Sequence, residues 1–251
     1  MPRTRIELCT ADGTMDCQAF APAGEKPSPG VILYMDALGI RPEMETMAER
    51  LASNGYVVLL PNFFYRSGPF APFDPATVFK GGPERDRLMA LIQATSSSMM
   101  MRDTSACLEY LDRQPMVRGR SVGVTGYCMG GRAALMAAGT FPDRIAAAGI
   151  FHGGRLATDQ PDSPHLLADK IRAKLYIAVA ALDQMFSSEE RERLRQALEN
   201  AGVQFTLEVY LDVAHGFAVP GLPVYNPDAA ERHWRELLRL FAETLPSGAQ
   251  T

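Results

Sequence analysis

The chain has 251 residues, of which 47% are hydrophobic and 22% charged, and its formal net charge is −4. This composition is typical of a globular protein and excludes a largely disordered chain. The slightly acidic balance argues against a nucleic-acid-binding protein, which usually presents a basic face.

No metal, membrane or export signal is visible along the chain. The cysteines, Cys9, Cys17, Cys107 and Cys128, show no C-x-x-C spacing, so we expect no bound metal. The start of the chain is polar, and no apolar run approaches the ~18 residues of a transmembrane helix. We therefore expect a cytoplasmic protein with no membrane partner. Because no change in composition divides it, residues 1–251 are predicted to form a single domain.

The predicted elements alternate between strands and helices. A hairpin around Asp12-Gly13 comes first. Short apolar runs bounded by turn residues then predict buried strands at 30–35, 56–60, 121–126, 145–151, 174–180 and 205–211. Apolar residues at helical spacing predict helices that open at Pro42, Glu84, Met129, Ser187 and Asn226, the second broken near 95–98.

This alternation is typical of βαβ units and predicts an α/β fold. We expect a mostly parallel central sheet of about 7–8 strands with helices on both faces. Ligands bind such sheets beyond the carboxyl ends of the strands. The loops that follow the predicted strands therefore share one edge, where we look for chemistry.

Gly126-Tyr127-Cys128-Met129-Gly130 follows one buried strand and opens one helix. This is a G-x-C-x-G form of the nucleophile elbow, a sharp turn that exposes a nucleophile above the sheet. The N–H of Met129, at the helix start, can then face a developing oxyanion. A cysteine here gains thiolate character from the helix dipole. An incidental cysteine between packing glycines is the alternative.

A cysteine nucleophile needs a base and a group that orients the base. His215 follows the last predicted strand and Asp183 follows the strand before it, which gives the order nucleophile, acid, base of an α/β-hydrolase. Asp212 is the alternative acid. His233 is expected to be solvated on the last helix. His152 follows a strand on the same edge, where it either lines the pocket or is structural.

These residues resemble the dienelactone hydrolase family of the α/β-hydrolase superfamily over roughly residues 5–245. The segment 126–131 resembles the family's cysteine elbow, and Asp183 and His215 match its acid and base. The segment 34–39 resembles the family segment in which a glutamate contacts the resting cysteine and the next N–H completes the oxyanion hole. The resemblance thus implies a thiol-tuning role for Asp36, which is one methylene shorter, and an oxyanion role for Ala37.

The same resemblance bears on the substrate. Family members that hydrolyse carboxylated dienelactones hold the carboxylate with two arginines. One of these aligns near Arg85, whereas the other position holds Val219, which weakens the case for an anionic lactone. Phe63, in an aromatic loop, is predicted to line the substrate site with Tyr127 and His152.

We therefore predict a hydrolase that cleaves a lactone or small carboxylic ester through an acyl-enzyme on a Cys-His-Asp triad. No cofactor is implied, and the expected partner is a small-molecule substrate for a monomer or small homo-oligomer. A thioesterase or broad carboxylesterase with the same site is one alternative. A non-catalytic binding protein of the same fold is another.

Overall fold

An eight-stranded sheet crosses the computed structural model, which describes residues 3–246. The strands are β1 (Arg3–Thr10), β2 (Gly13–Phe20), β3 (Gly30–Tyr34), β4 (Val57–Pro61), β5 (Val122–Tyr127), β6 (Ile145–Phe151), β7 (Lys174–Ala180) and β8 (Phe205–Tyr210). They lie in the order β1-β2-β4-β3-β5-β6-β7-β8. The β1–β2 hairpin is antiparallel and pairs antiparallel with β4, and the remaining pairs are parallel. The mostly parallel sheet predicted from the sequence is confirmed.

Helices pack on both faces of this sheet. They are α1 (Pro42–Ser53), α2 (Pro83–Ala94), α3 (Ser97–Asp112), α4 (Met129–Thr140), α5 (Ser188–Asn200) and α6 (Pro227–Thr244). α1 and α6 pack side by side, where Arg50 pairs with Glu231 and lies over the Trp234 ring. α3 and α4 pack against each other, and α4 also contacts β3, β5 and β6. In the described part of the chain, no helix is both long and apolar enough to span a bilayer.

The central strands are buried on both faces because helices cover them. Every residue of β3, β4 and β5 is buried, as their unbroken apolar runs predict. β8, at the edge of the sheet, is only half-buried along most of its length. The Ser187 capping box before α5 has both of its hydrogen bonds, and Asn226 caps α6 through the N–H of Ala229.

One expectation for α6 is wrong. His233 is buried rather than solvated, and its Nε2 lies 2.9 Å from the hydroxyl of Tyr127. The cause is the width of the buried stripe of α6, which takes in His233 as well as Trp234 and Leu237. A stripe of this width is typical of a helix that packs on a sheet, and an imidazole with two partners fits within it.

The carboxyl ends of the parallel strands place five loops along one edge. Asp36 follows β3, Cys128 follows β5, His152 follows β6, Asp183 follows β7 and His215 follows β8. This edge is where ligands bind in open α/β sheets. The fold therefore brings residues that are far apart in the sequence to a single candidate site.

Candidate active site

Cys128 occupies the turn between β5 and α4 in a left-handed conformation, with φ 55° and ψ −114°. Two residues to either side of Cys128, the backbone is too close to neighbouring backbone to accept a side chain. A Cβ on Gly126 would lie 2.1 Å from the carbonyl oxygen of Gly130, and a Cβ on Gly130 would lie 2.5 Å from that of Tyr34. Both positions therefore require glycine. The Cys128 N–H donates to Phe151 at the end of β6, which anchors the turn to the neighbouring strand.

Asp183 and His215 form a hydrogen-bonded pair next to this turn. Nδ1 of His215 donates to Oδ2 of Asp183 over 2.8 Å. The other oxygen, Oδ1, accepts the N–H of Met185 at 2.8 Å, and the Asp183 side chain is 1% exposed. Because the carboxylate holds Nδ1 as the donor, Nε2 is the free nitrogen of the ring. The His215 side chain keeps 20% of its surface exposed, so solvent reaches it.

Cys128 is the second side chain, besides Asp183, that raises the pKa of His215. Burial lowers the pKa of His215, but Cys128 and the Asp183 carboxylate outweigh burial and raise that pKa to about 10. Nε2 makes no hydrogen bond of standard geometry within residues 3–246. The free nitrogen of the ring therefore lies on the Cys128 side, and the raised pKa favours the protonated imidazolium near neutral pH.

Two backbone N–H groups near the turn have no acceptor within the described residues. The N–H of Met129 lies in the first turn of α4, where a helix leaves its donors unpaired. The N–H of Ala37 is also unpaired, whereas that of Leu38 donates to Asp36. Gly130 packs against the end of β3, so the two loops that carry these donors lie side by side. Such donors can stabilise an oxyanion.

Asp36 is held by Arg41 rather than by the thiol. Its oxygens accept from Nη1 and Nη2 of Arg41 at 2.6 and 2.7 Å, and Oδ1 also accepts from the N–H of Leu38. No hydrogen bond joins Asp36 to Cys128 in the described residues. The structure thus places Asp36 as the anchor of the loop that carries Ala37. Sequence reasoning missed Arg41, although an acid and an arginine five residues apart in one loop are a usable signal.

Two residues predicted to line the substrate site lie in the core instead. Tyr127 is fully buried beneath the elbow with its hydroxyl on His233, and Phe63 is fully buried and stacked on Tyr34, with ring centroids 5.4 Å apart. Neither side chain reaches the open edge, so neither contacts a substrate in this arrangement. The prediction for both is corrected: they pack under the site and support it.

Of the other residues predicted to contact the substrate, Arg85 lies on the surface and His152 lies beside His215. Arg85 is exposed in the first turn of α2 and makes no ion pair within residues 3–246, so its role stays a prediction. Its neighbour Arg87 lies over the Phe73 ring, 4.2 Å from the centroid. Val219 is fully buried. His152 is buried beside His215, with the two ring centroids 5.1 Å apart.

Comparison with known proteins places this chain in a family. A model described as the dienelactone hydrolase family matches residues 15–245, nearly the whole chain. The chain belongs to the dienelactone hydrolase family. A Synechocystis protein named "Putative carboxymethylenebutenolidase" is 27% identical over 221 residues, covering 86% of this chain and 87% of that protein. An Escherichia coli K12 protein of the same name is 27% identical over 222 residues, covering 86% and 78%.

Solved structures agree on the fold of this dienelactone hydrolase family member. A Klebsiella pneumoniae protein named "Putative Dienelactone Hydrolase" superposes with a TM-score of 0.83 at 22% identity, covering 96% of this chain and 98% of that one. A dienelactone hydrolase from Anabaena variabilis gives 0.71 at 16% identity, covering 98% and 99%. The fold is therefore the α/β-hydrolase fold. Since lactones are cyclic esters, family membership makes this chain a hydrolase that acts on ester bonds.

Proposed function

We propose that this protein hydrolyses a lactone or small carboxylic ester through a covalent acyl-enzyme on Cys128. The observation that carries the proposal is the hydrogen-bonded pair of Asp183 and His215, joined over 2.8 Å, next to the sulfur of Cys128. A nucleophile, a base and a group that orients the base are the parts that such chemistry needs.

Acylation begins from the thiolate of Cys128 and the imidazolium of His215. The sulfur attacks the acyl carbon, and the N–H groups of Met129 and Ala37 stabilise the oxyanion. As the tetrahedral intermediate collapses, the carbon–oxygen bond to the leaving group breaks. The leaving oxygen takes its proton from Nε2 of His215, which becomes neutral, and the acyl group stays on sulfur as a thioester.

Deacylation returns the enzyme to its starting state. Neutral His215 accepts a proton from water as the water oxygen attacks the thioester carbon. The carbon–sulfur bond then breaks and its electron pair returns to Cys128 as thiolate. The acid product leaves, and His215 stays protonated beside the sulfur. Asp183 orients the ring in both steps and stabilises its charged form.

The nucleophile restricts which esters react. A thiolate is a better leaving group than an ordinary alkoxide, so the intermediate formed from a simple alkyl ester tends to expel sulfur and revert. Enolate, phenolate and thiolate leaving groups compete better with the Cys128 sulfur, so the intermediate goes forward to the acyl-enzyme. An enol-lactone is therefore a well-matched substrate, and a thioester is the second candidate on the same chemical ground.

The surroundings of the triad favour an uncharged substrate. Val219 is fully buried and offers no cationic partner at the position where the family resemblance expects an arginine. Leu182 and Met185, on either side of Asp183, are exposed and apolar. Val224, which packs near Gly216, adds a third exposed apolar side chain close to the base. A neutral acyl group fits this rim better than a carboxylate does.

The test compares a small activated ester, a small thioester, a neutral enol-lactone and a carboxylated enol-lactone, with Cys128→Ala as the blank. We expect turnover of the activated ester and the neutral lactone, a lower rate with the carboxylated lactone, and a loss of about a thousandfold or more in Cys128→Ala. Retained turnover in the variant would falsify the cysteine mechanism. Turnover of thioesters with neither lactone cleaved would favour the thioesterase alternative.

Iodoacetamide labelling separates an enzyme from a binding protein of the same fold. A thiolate paired with His215 reacts readily near neutral pH, whereas an inert Cys128 in a chain without esterase activity favours the binding protein. Cys9, which is exposed and lies on the hairpin, gives the reference rate of an ordinary surface thiol within the same molecule.

A further inference from the structure

His152 follows β6 directly, in a strained conformation beside the proposed triad. Its φ is +37°, a value that non-glycine residues rarely adopt and that is concentrated at functional sites. Its N–H donates to the carbonyl of Ala178 on β7 over 2.8 Å, which fixes the backbone. The residue is 1% exposed. The fold thus holds this imidazole in one place, next to His215.

Both ring nitrogens of His152 are buried and have no hydrogen-bond partner within residues 3–246. A neutral imidazole carries one donor and one acceptor, and buried polar groups are nearly always paired. The rings of Tyr127 and Phe217 lie 5.8 and 5.4 Å away between centroids, and the Tyr127 hydroxyl is already bonded to His233. Within residues 3–246 no other residue pairs with this ring, and a buried water is the kind of group that satisfies such nitrogens.

A third unpartnered nitrogen lies in the same place. Nε2 of His215 is buried and makes no hydrogen bond of standard geometry in the described residues, and Cys128, which acts on its pKa, carries the acyl group in the acyl-enzyme. The rings of His215 and His152 meet at 65°, with 5.1 Å between their centroids. A buried water makes about three hydrogen bonds, so adjacent imidazoles with free nitrogens form a suitable site for one. Nε2 is also the atom that accepts the proton of water in deacylation.

Burial, together with the neighbouring histidines, keeps the ring of His152 neutral. Burial lowers the pKa of His152 well below its ordinary value, and the neighbouring His215 and His233 lower it further. Those two histidines are the titratable groups that act on it, since its other ring neighbours, Tyr127 and Phe217, carry no charge near neutral pH. A neutral ring offers one donor and one acceptor, so it can hold a water molecule without supplying a proton of its own.

We propose that His152 positions the hydrolytic water of deacylation against Nε2 of His215. The proposal rests on the acyl-enzyme function described above. One hydrogen of the water passes to Nε2 as its oxygen bonds to the thioester carbon and the carbon–sulfur bond breaks. The ring of His152 holds the same water by a hydrogen bond and exchanges no proton. Acylation uses no water, so His152 is required only in the second half of the reaction.

Two variants separate water positioning from packing. His152→Phe keeps a ring of similar shape and removes both nitrogens. His152→Asn loses the ring but keeps a donor and an acceptor, and asparagine tolerates positive φ well. Water positioning predicts that deacylation is faster in the asparagine variant, whereas a packing role predicts that it is faster in the phenylalanine variant. His165→Phe is the matched control, since His165 lies in a separate turn and bonds Ser163.

The experiment mixes each folded protein with 4-nitrophenyl acetate. Nitrophenol release gives the acylation rate, and rapid-quench mass spectrometry follows formation and decay of the acetyl group on Cys128. We expect His152→Phe to acylate within about twofold of the unchanged chain and to deacylate at least about tenfold more slowly, because misplacing a reactant has effects of this size. The deacylation rate of His152→Asn should fall between those of His152→Phe and the unchanged chain. That of His165→Phe should match the unchanged chain.

Hydroxylamine provides a second readout. It attacks the acyl group as a stronger nucleophile and depends less on a held water, so it should restore turnover in His152→Phe. Equal slowing of both half-reactions, no slowing, or slower deacylation in the asparagine variant than in the phenylalanine variant would overturn the proposal. If His152→Phe does not fold, His152→Leu replaces it. Hydrolysis of 4-nitrophenyl acetate that persists in Cys128→Ala would instead overturn the proposed function itself.

Discussion

Arg41 donates hydrogen bonds from both of its terminal nitrogens to the Asp36 carboxylate, at 2.6 and 2.7 Å. The side chain of Arg41 is 6% exposed and that of Asp36 is 5% exposed. The pair closes the short loop between β3 and α1. That loop also carries the unpaired N–H of Ala37. This buried ion pair therefore fixes the loop whose Ala37 N–H we propose as an oxyanion donor.

Removing Arg41 should destabilise the protein and slow catalysis. Arg41→Leu leaves Asp36 buried without its cation, which lowers the free energy of unfolding by about 3–5 kcal/mol. Urea denaturation measures this loss. Replacing both residues, as Asp36→Leu with Arg41→Leu, should recover most of the stability but not the activity, because the loop loses its anchor. Arg113→Leu breaks an exposed pair with Glu109, 72% and 65% exposed, and should change stability by less than about 1 kcal/mol.

The relative placement of the proposed triad residues was predictable because it depends on where the strands end. The boundaries predicted for β6 and β7, 145–151 and 174–180, are those observed, and the apolar run of β6 ends at the turn sequence His152-Gly153-Gly154. In a parallel sheet the following loops must share an edge, so placing Asp183 and His215 after strands brings them to one edge. The glycines around Cys128 predicted the sharp turn for the same local reason.

Side-chain direction was not predictable in the same way. Tyr127 and Phe63 are aromatic and close in sequence to the site, but whether they face the core or the open edge depends on helices packed from far along the chain. His233 shows the same limit, because its burial depends on how α6 lies on the sheet. The Asp36–Arg41 pair is local, but a loop pattern alone does not show that both charges are buried.

The elbow glycine Gly126 should tolerate no side chain. In Gly126→Ala the new Cβ would lie 2.1 Å from the Gly130 carbonyl oxygen, which forces the turn apart. We expect loss of esterase activity and a fall in melting temperature, measured by circular dichroism. Gly202→Asn is the control, because φ there is +67° and nothing lies within 4 Å of the added Cβ. A fully active Gly126→Ala protein would contradict this account of the turn.

Stability should fall in acid because His233 is buried as a neutral ring. Burial lowers the pKa of His233 to about 3, against about 6.5 in the unfolded chain. Between these values the unfolded state binds a proton that the folded state does not, so the contribution is complete above pH 6.5 and is lost as pH falls towards 3. Each pH unit within that window lowers the free energy of unfolding by about 1.4 kcal/mol.

Urea denaturation at a series of pH values tests this contribution. His233→Gln keeps a hydrogen-bonding group for Tyr127 but does not titrate, so its stability should depend less on pH between 6 and 4. The comparison uses the difference in slope, because carboxylates also contribute to the acid dependence of both proteins. Curves that stay parallel for the two proteins would show that His233 is not held neutral.

The elevated pKa of His215 should depend on both of its neighbours. Because Cys128 and Asp183 raise that pKa to about 10, the imidazolium persists in the folded protein well above the unfolded value of about 6.5. The stability that it contributes is complete below about pH 6.5 and is lost as pH rises towards 10. Titration of the His215 ring by NMR should give a lower pKa in Cys128→Ala and in Asp183→Asn, since each variant removes one source of the shift.

The rate at which iodoacetamide labels Cys128 should fall when the pKa of His215 falls. With the imidazolium weakened in Asp183→Asn, the thiolate of Cys128 loses its partner, so its labelling rate at pH 6 should fall about tenfold or more. Asp212→Asn is the matched control for the neighbouring acid, because Asp212 makes no hydrogen bond or ion pair through its side chain within residues 3–246. Its His215 titration and Cys128 labelling should match those of the unchanged chain. Equal losses in the two variants would assign the orienting role to the whole loop rather than to Asp183.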